Sequence, residues 1–183
     1  MKRYGPYGSI TRRFLFFSVL LLLLLSVGCD RREKDSATEL LSGAFDAEVT
    51  VEGEGHSYRA TVRRYTDSDG TKIEELTFLS PDSLKGIAAT VRGDTVVLSR
   101  GELSVTLTGD GAERVLFPLS LLSGGDVIAH DGGREEDCDV LYCTLSDGRI
   151  MTVDARDGTL RAVRYGDTVV RISWIEKRRE SGV

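Results

Sequence analysis

The chain has 183 residues, with 24 basic and 29 acidic side chains and a formal net charge of −5 at pH 7. Residues 1–28 hold four of the basic side chains and none of the acidic ones, so residues 29–183 carry 20 − 29 = −9. An acidic chain without a basic stripe argues against nucleic acid as a partner. The 155 residues after position 28 fit one domain.

The N-terminus carries an apolar run that ends in a cysteine. Basic residues at positions 2, 3, 12 and 13 precede the apolar run 14–27, and Gly28 and Cys29 follow it. A basic region, an apolar region and small residues before a cleavage point are typical of a secretory signal peptide. The run is shorter than the roughly 18 residues of a membrane-spanning helix.

Because Cys29 follows the small residues directly, the segment resembles a bacterial lipoprotein signal. The resemblance implies that residues 1–28 are removed and that the Cys29 thiol carries a diacylglyceryl group. It implies a lipid-anchored protein on the extracytoplasmic face of the cell membrane, with the charged segment 29–36 as a tether. Ser26 stands where the family most often has leucine, and a transmembrane anchor or an ordinary signal peptide are the alternatives.

The segment 37–176 is expected to form one domain, followed by a basic tail at 177–183. A helix is predicted to start at Ser36, where the spacing to Glu39 is that of a capping box, and to end at Gly43. Apolar and polar residues then alternate with period two, which predicts strands. The predicted strands are 45–52, 58–63, 73–79, 86–91, 95–99, 103–107, 140–145, 150–154, 160–165 and 169–175.

Tight turns join most of these strands, and repeated Asp-Gly and Gly-Asp pairs are strong hairpin signals. Between the two groups of strands, residues 112–122 have apolar side chains at near-helical spacing. They predict one or two short helices, interrupted at Pro118. The fold class expected is mainly β: a curved antiparallel sheet or half-barrel of about ten or eleven strands, covered by short helices.

No constellation of residues indicates catalysis, a cofactor or a metal site. His56 is placed in a hairpin and His130 in a loop, and neither neighbours a nucleophile motif. Cys138 and Cys143 lie five apart in a predicted strand, where they would face opposite sides about 16 Å apart. A disulfide wants Cα atoms about 5.5 Å apart, so it would need a turn or bulge, and two free thiols are preferred.

The apolar side chains of the sheet permit two interpretations. With so little helix to cover it, the inner face could leave a groove suited to an acyl chain. Alternatively, the same side chains could close into a dry core, leaving a tethered structural or protein-interaction module. The candidate groove residues are Phe45, Val49, Tyr58, Leu76, Phe78, Leu103, Leu107 and Phe117.

The order of elements resembles the LolA-like, RseB-like lipoprotein-carrier family. The resemblance rests on Phe45-Asp46-Ala47-Glu48-Val49, on Tyr58-Arg59-Ala60, and on the segment 76–87 with its Pro81 and Leu84-Lys85-Gly86 turn. It implies an antiparallel half-barrel covered by helices that binds the lipid moieties of other lipoproteins, or serves as a lipoprotein sensor or regulator outside the cytoplasm. We expect the domain to act without enzymatic activity. The lipid anchor departs from the soluble carrier of that family, which puts shuttling in doubt. The oligomeric state is not indicated.

Overall fold

The structure, a computed structural model, describes residues 37–178 except residue 54. The predicted signal peptide, Cys29, the charged tether and residues 179–183 of the basic tail lie outside the described residues. Within residues 37–178, no helix is long and apolar enough to cross a bilayer.

Eleven strands form a single antiparallel sheet, in the order β6-β5-β4-β3-β2-β1-β11-β10-β9-β8-β7. The sheet is curved and does not close, so the predicted fold class is confirmed. The strands are β1 (Phe45–Gly53), β2 (His56–Thr66), β3 (Lys72–Ser80), β4 (Ala88–Arg92), β5 (Thr95–Arg100), β6 (Leu103–Leu107), β7 (Val127–Glu135), β8 (Cys138–Leu145), β9 (Ile150–Asp154), β10 (Leu160–Tyr165) and β11 (Thr168–Lys177).

Alternation along each central strand separates two faces of the sheet. In β1, Phe45, Ala47, Val49 and Val51 are buried, while the residues between them are half-buried. Side chains two apart on a strand point the same way, so the buried set defines an inner face. The opposite face, which we call the outer face, carries most of the charged side chains of β1 and β2.

Two helices cover the inner face: α1 at residues 37–42 and α2 at Asp110–Leu121. Their buried side chains join the core formed by the sheet. The predicted interruption of α2 at Pro118 is wrong, because the helix runs through that residue. Proline removes one backbone hydrogen bond there, and the burial of Pro118, Leu119 and Leu121 offsets that loss.

Strand β7 was not predicted, and the expected loop position of His130 is wrong. Residues 127–135 pair with β8, with His130 opposite Cys143. The strand lies at the edge of the sheet and is exposed over most of its length. It therefore lacks the apolar alternation that burial imposes on the inner strands, and its adjacent glycines look like a turn.

The first and last strands along the chain, β1 and β11, are neighbours at the centre of the sheet. β1 pairs with β11 from Phe45 opposite Lys177 to Glu52 opposite Val169. The two ends of the sheet are therefore the short strand β6 and the longer strand β7.

Candidate functional site: the inner face of the sheet

Six of the eight candidate groove residues belong to one cluster on the inner face. Phe45, Val49, Leu76 and Phe78 are buried, and Tyr58 and Leu107 pack against them. The rings of Tyr58 and Phe78 meet edge to face, with centroids 5.2 Å apart. These residues form part of a packed core beneath the helices.

The two helices fill the space that an open groove would need. Ala37 and Leu41 of α1 are almost completely buried, as are Leu119 and Leu121 of α2 and the following Leu122. α2 contacts both β5 and β10, which are six strand spacings apart in the sheet. The sheet therefore curves around this helix.

A buried arginine of β2 attaches both helices to the sheet. Arg64 donates from Nη1 to the carbonyl oxygens of Leu41 and Leu122, each at 2.6 Å. Its Nε donates to Oε1 of Glu74 at 2.6 Å, and its guanidinium lies 4.6 Å from the centroid of the Phe45 ring. Burial lowers the pKa of Arg64 from its ordinary value, and the Glu74 carboxylate opposes that shift.

A second buried arginine holds the C-terminal end of α2. Arg149 donates from Nη1 to the carbonyl oxygens of Leu121 at 2.9 Å and Ser123 at 2.7 Å, and from Nη2 to that of Gly124 at 3.2 Å. Its Nε donates to Asp147 at 2.7 Å, and this hydrogen bond lowers the pKa of the Asp147 carboxyl. Carbonyl groups at the C-terminal end of a helix have no hydrogen-bond donor within the helix, and the Arg149 guanidinium provides the missing donors.

One end of the inner face is not covered by any helix or strand of residues 37–178. Leu103 and Val105 on β6 are 78% and 61% exposed, although they face the same side of the sheet as the core. Val105 lies opposite half-buried Leu98, and Leu107 opposite buried Val96. Apolar surface therefore continues from the core to the edge of the sheet, where Leu103 and Val105 are exposed. We call Leu98, Leu103 and Val105 the apolar end.

Phe117 belongs neither to the buried cluster nor to the apolar end. It is 42% exposed on α2 and meets the ring of Tyr165, at the end of β10, with centroids 6.2 Å apart. Leu103 and Phe117 both stand outside the buried cluster. The eight candidate residues thus do not line one continuous groove.

Cys138 and Cys143 both lie on β8, and neither is in a disulfide. Cys143 is buried in the core and Cys138 is half-buried at the start of the strand. Within residues 37–178, no group of three or more potential metal-binding side chains comes together.

Neither Arg64 nor Arg149 was among the residues predicted from the sequence. For Arg64 a signal existed: extending the alternation of Ala60 and Val62 by two residues places Arg64 on the inner face. An arginine at an inward position indicates a buried partner, because an unpaired buried charge is costly. Arg149 follows a turn, and no periodicity identifies it.

No protein-family model matches the chain, and no curated protein matches it. Solved structures with related shapes include an uncharacterized conserved protein from Thermus thermophilus, with 13% identity, a TM-score of 0.45, and coverage of 83% of this chain and 89% of that one. A LolA superfamily protein from Nitrosomonas europaea has 13% identity, a TM-score of 0.36, and coverage of 80% and 94%.

The MucA/MucB complex of Pseudomonas aeruginosa gives 17% identity and a TM-score of 0.44, with coverage of 79% of this chain and 56% of that one. All three TM-scores are below 0.5. The fold class stated above rests on the sheet and helices of the chain itself.

Proposed function

We propose that this chain is a lipid-anchored extracytoplasmic domain that acts by binding and not by catalysis, and that it takes an acyl chain at the apolar end. The observation that carries the proposal is the exposure of Leu103 and Val105 on the inner face of β6. These side chains extend the buried core to the edge of the sheet, where a ligand can cover them.

Covering such side chains is favourable. Full burial of a leucine or valine side chain contributes about 1.5–3 kcal/mol. The neighbouring Leu98 and Leu107 are half-buried and offer further apolar surface. An acyl chain is flexible and apolar, and it could lie along β6 without requiring any hydrogen bond from the sheet.

The proposed anchor puts lipid within reach of the domain. Seven residues lie between Cys29 and residue 37, where the described chain begins, so eight Cα–Cα steps join the two positions. Fully extended, they span at most about 26–29 Å. Lipid of the bilayer is then the nearest source of an apolar ligand.

Binding of a fluorescent fatty acid to unlipidated protein, produced from residue 29 with Cys29→Ser, tests the ligand. Saturable binding is expected, and Leu103→Glu with Val105→Glu should weaken it at least about tenfold, because each places a charge in apolar surface. Thr106→Glu on the same strand is the matched control, since Thr106 is exposed and points to the opposite face. Absence of saturable binding to the unsubstituted protein would exclude an acyl-chain site.

The packed core supports a second candidate function, a tethered protein-interaction module. Phe45, Leu76 and Leu119 are almost completely buried under the helices. In that case the exposed edge strand β7 is the place where a partner could add a strand. Photocrosslinking from a photoreactive residue placed at exposed position Ile128 tests this function. Crosslinked protein adducts, together with the absence of fatty-acid binding, would favour it over the first.

The anchor has its own test. Cells fed an alkyne analogue of palmitate should label the wild-type chain and leave a Cys29→Ser chain unlabelled. The unlabelled variant should also leave the membrane fraction. Equal labelling of both chains would contradict lipidation at Cys29.

A further inference from the structure

A cleft of about 290 Å³ lies on the outer face, opposite the helices. It crosses four consecutive strands at the centre of the sheet, from β3 through β2 and β1 to β11. Its side chains include Trp174, Thr61, Thr77, Asp46, Arg63 and Glu75. The volume lies just below the roughly 300–1,000 Å³ typical of small-molecule sites, as suits a ligand of one ring.

An irregularity in β11 brings Trp174 into this cleft. Ile172 pairs with Val49, but Trp174 pairs with the adjacent Glu48, so Ser173 is an extra residue in the ladder. Strict alternation from buried Ile172 would point Trp174 inward. The bulge turns Trp174 to the outer face, where its side chain is 45% exposed. Bulges commonly re-aim a side chain beside a functional site.

Several hydrogen-bonding groups in the cleft have no partner within residues 37–178. Thr61 and Thr77 are direct cross-strand partners on β2 and β3. Among residues 37–178, neither threonine hydroxyl has a hydrogen-bond partner, and the same is true of the indole N–H of Trp174. These groups are available to a ligand.

The charged side chains of the cleft form ion pairs with one another. The Nε atom of Arg63 lies 3.2 Å from Oδ1 of Asp46, and its Nη1 lies 3.9 Å from Oε2 of Glu75. Arg178 also approaches Asp46, at 3.5 Å, and the hydroxyl of Tyr65 donates to Glu75 at 2.9 Å. A charged ligand would therefore find no unpaired opposite charge, whereas a neutral polar ligand could share these donors and acceptors.

We propose that the outer cleft binds a saccharide ring, with one face stacked on the indole of Trp174 and the hydroxyl groups bonded to Thr61, Thr77 and the Asp46–Arg63–Glu75 row. A pyranose ring combines an apolar C–H face with a rim of neutral hydroxyls, which matches an aromatic wall beside a neutral polar floor. This site is on the opposite face from the apolar end and is independent of it.

Trp174 is the only tryptophan in the chain, so intrinsic fluorescence reports directly on the cleft. The full chain, held in a zwitterionic detergent without a sugar head group, would be titrated with N-acetylglucosamine, its β-1,4-linked trimer and maltotriose. We expect a saturable change in emission with at least one of them. Sorbitol, a polyol without a ring, should produce no saturable change. Equal responses to sorbitol and to the sugars, or no saturable response to any sugar, would overturn the proposal.

Substitutions locate the binding. Thr61→Val with Thr77→Val keeps the shape of the floor but removes both hydroxyls, and should weaken binding about tenfold. Thr50→Val is the matched control, because Thr50 lies on the outer face of β1 outside the cleft lining. Equal affinities of the Thr61/Thr77 variant and the Thr50 variant would show that the saccharide binds elsewhere and would contradict a site in the outer cleft.

Discussion

Arg64 and Glu74 are direct cross-strand partners on the inner face of β2 and β3, and both are buried. The same guanidinium that pairs with Glu74 also donates to the carbonyl oxygens of Leu41 in α1 and of Leu122, directly after α2. One side chain therefore connects three parts of the fold, and its carboxylate partner keeps the charge compensated beneath the helices.

Removing Arg64 should be among the most destabilising single changes in the domain. Arg64→Met leaves the Glu74 carboxylate with only the half-exposed Lys72 at 3.2 Å, and it removes the donor to the carbonyls of Leu41 and Leu122. Breaking a buried pair in this way costs about 3–5 kcal/mol. Urea unfolding measures this free energy. Replacing both residues by Met should cost less than Arg64→Met alone, because no uncompensated charge remains.

The exposed pair of Arg171 and Glu52 is the control for that experiment. Both of its side chains are about half exposed, so Arg171→Met should cost at most about 1 kcal/mol. Comparable losses for Arg64→Met and Arg171→Met would show that the buried pair has no special role.

Arg149→Gln should loosen the C-terminal end of α2. The substitution removes the forked donors that reach the carbonyls of Leu121, Ser123 and Gly124. Hydrogen exchange should accelerate over residues 117–124, with a loss of stability of about 1–3 kcal/mol. Arg92→Gln changes an exposed pair with Asp69 and should leave exchange in α2 unchanged. Unchanged exchange in both variants would contradict the role of Arg149.

The segment after α2 passes so close to α1 that only glycine fits at position 124. A Cβ there would lie 2.8 Å from the carbonyl oxygen of Thr38 and would also collide with Ser42. Gly124→Ala should therefore separate the helices and cost about 1–3 kcal/mol. Gly132→Ala is the control, because a Cβ at that position meets nothing within 4 Å. Thermal unfolding compares the two, and equal melting temperatures would contradict this close approach.

Tyr58 should make stability depend on alkaline pH. Burial raises its pKa from 10.0 to about 12. The phenol of the unfolded chain ionises near pH 10 while the buried phenol stays neutral, so the stability present below pH 10 is lost as the pH rises to 12. The total loss is about 2–3 kcal/mol. Tyr58→Phe should flatten the unfolding free energy over this range, and an unchanged slope in this variant would exclude Tyr58 as the cause.

Most of the sheet could be predicted from the sequence, because burial of one face imposes alternation on the strand. Phe45, Ala47, Val49 and Val51 show this, and they define β1 in both the sequence and the structure. The same signal is absent where burial is absent, which is why the edge strand β7 escaped prediction.

The site could be predicted only in part. Burial of Phe45 and Leu76 follows from their positions in alternating strands. The exposure of Leu103 does not, because it depends on how far α2 reaches across the curved sheet. The outward position of Trp174 depends on a single extra residue in β11, and the alternation of apolar and polar residues does not reveal that bulge.

The central position of the β1–β11 pair also sets an order of assembly. β2 to β6 and β7 to β10 are chains of neighbouring hairpins, whereas Phe45 meets Lys177 only after the rest of the domain has been made. Local hairpins form quickly, and contacts between distant residues form slowly. The two halves of the sheet can therefore each begin to fold early, but β1 keeps an unpaired edge until β11 arrives and joins the halves into one sheet.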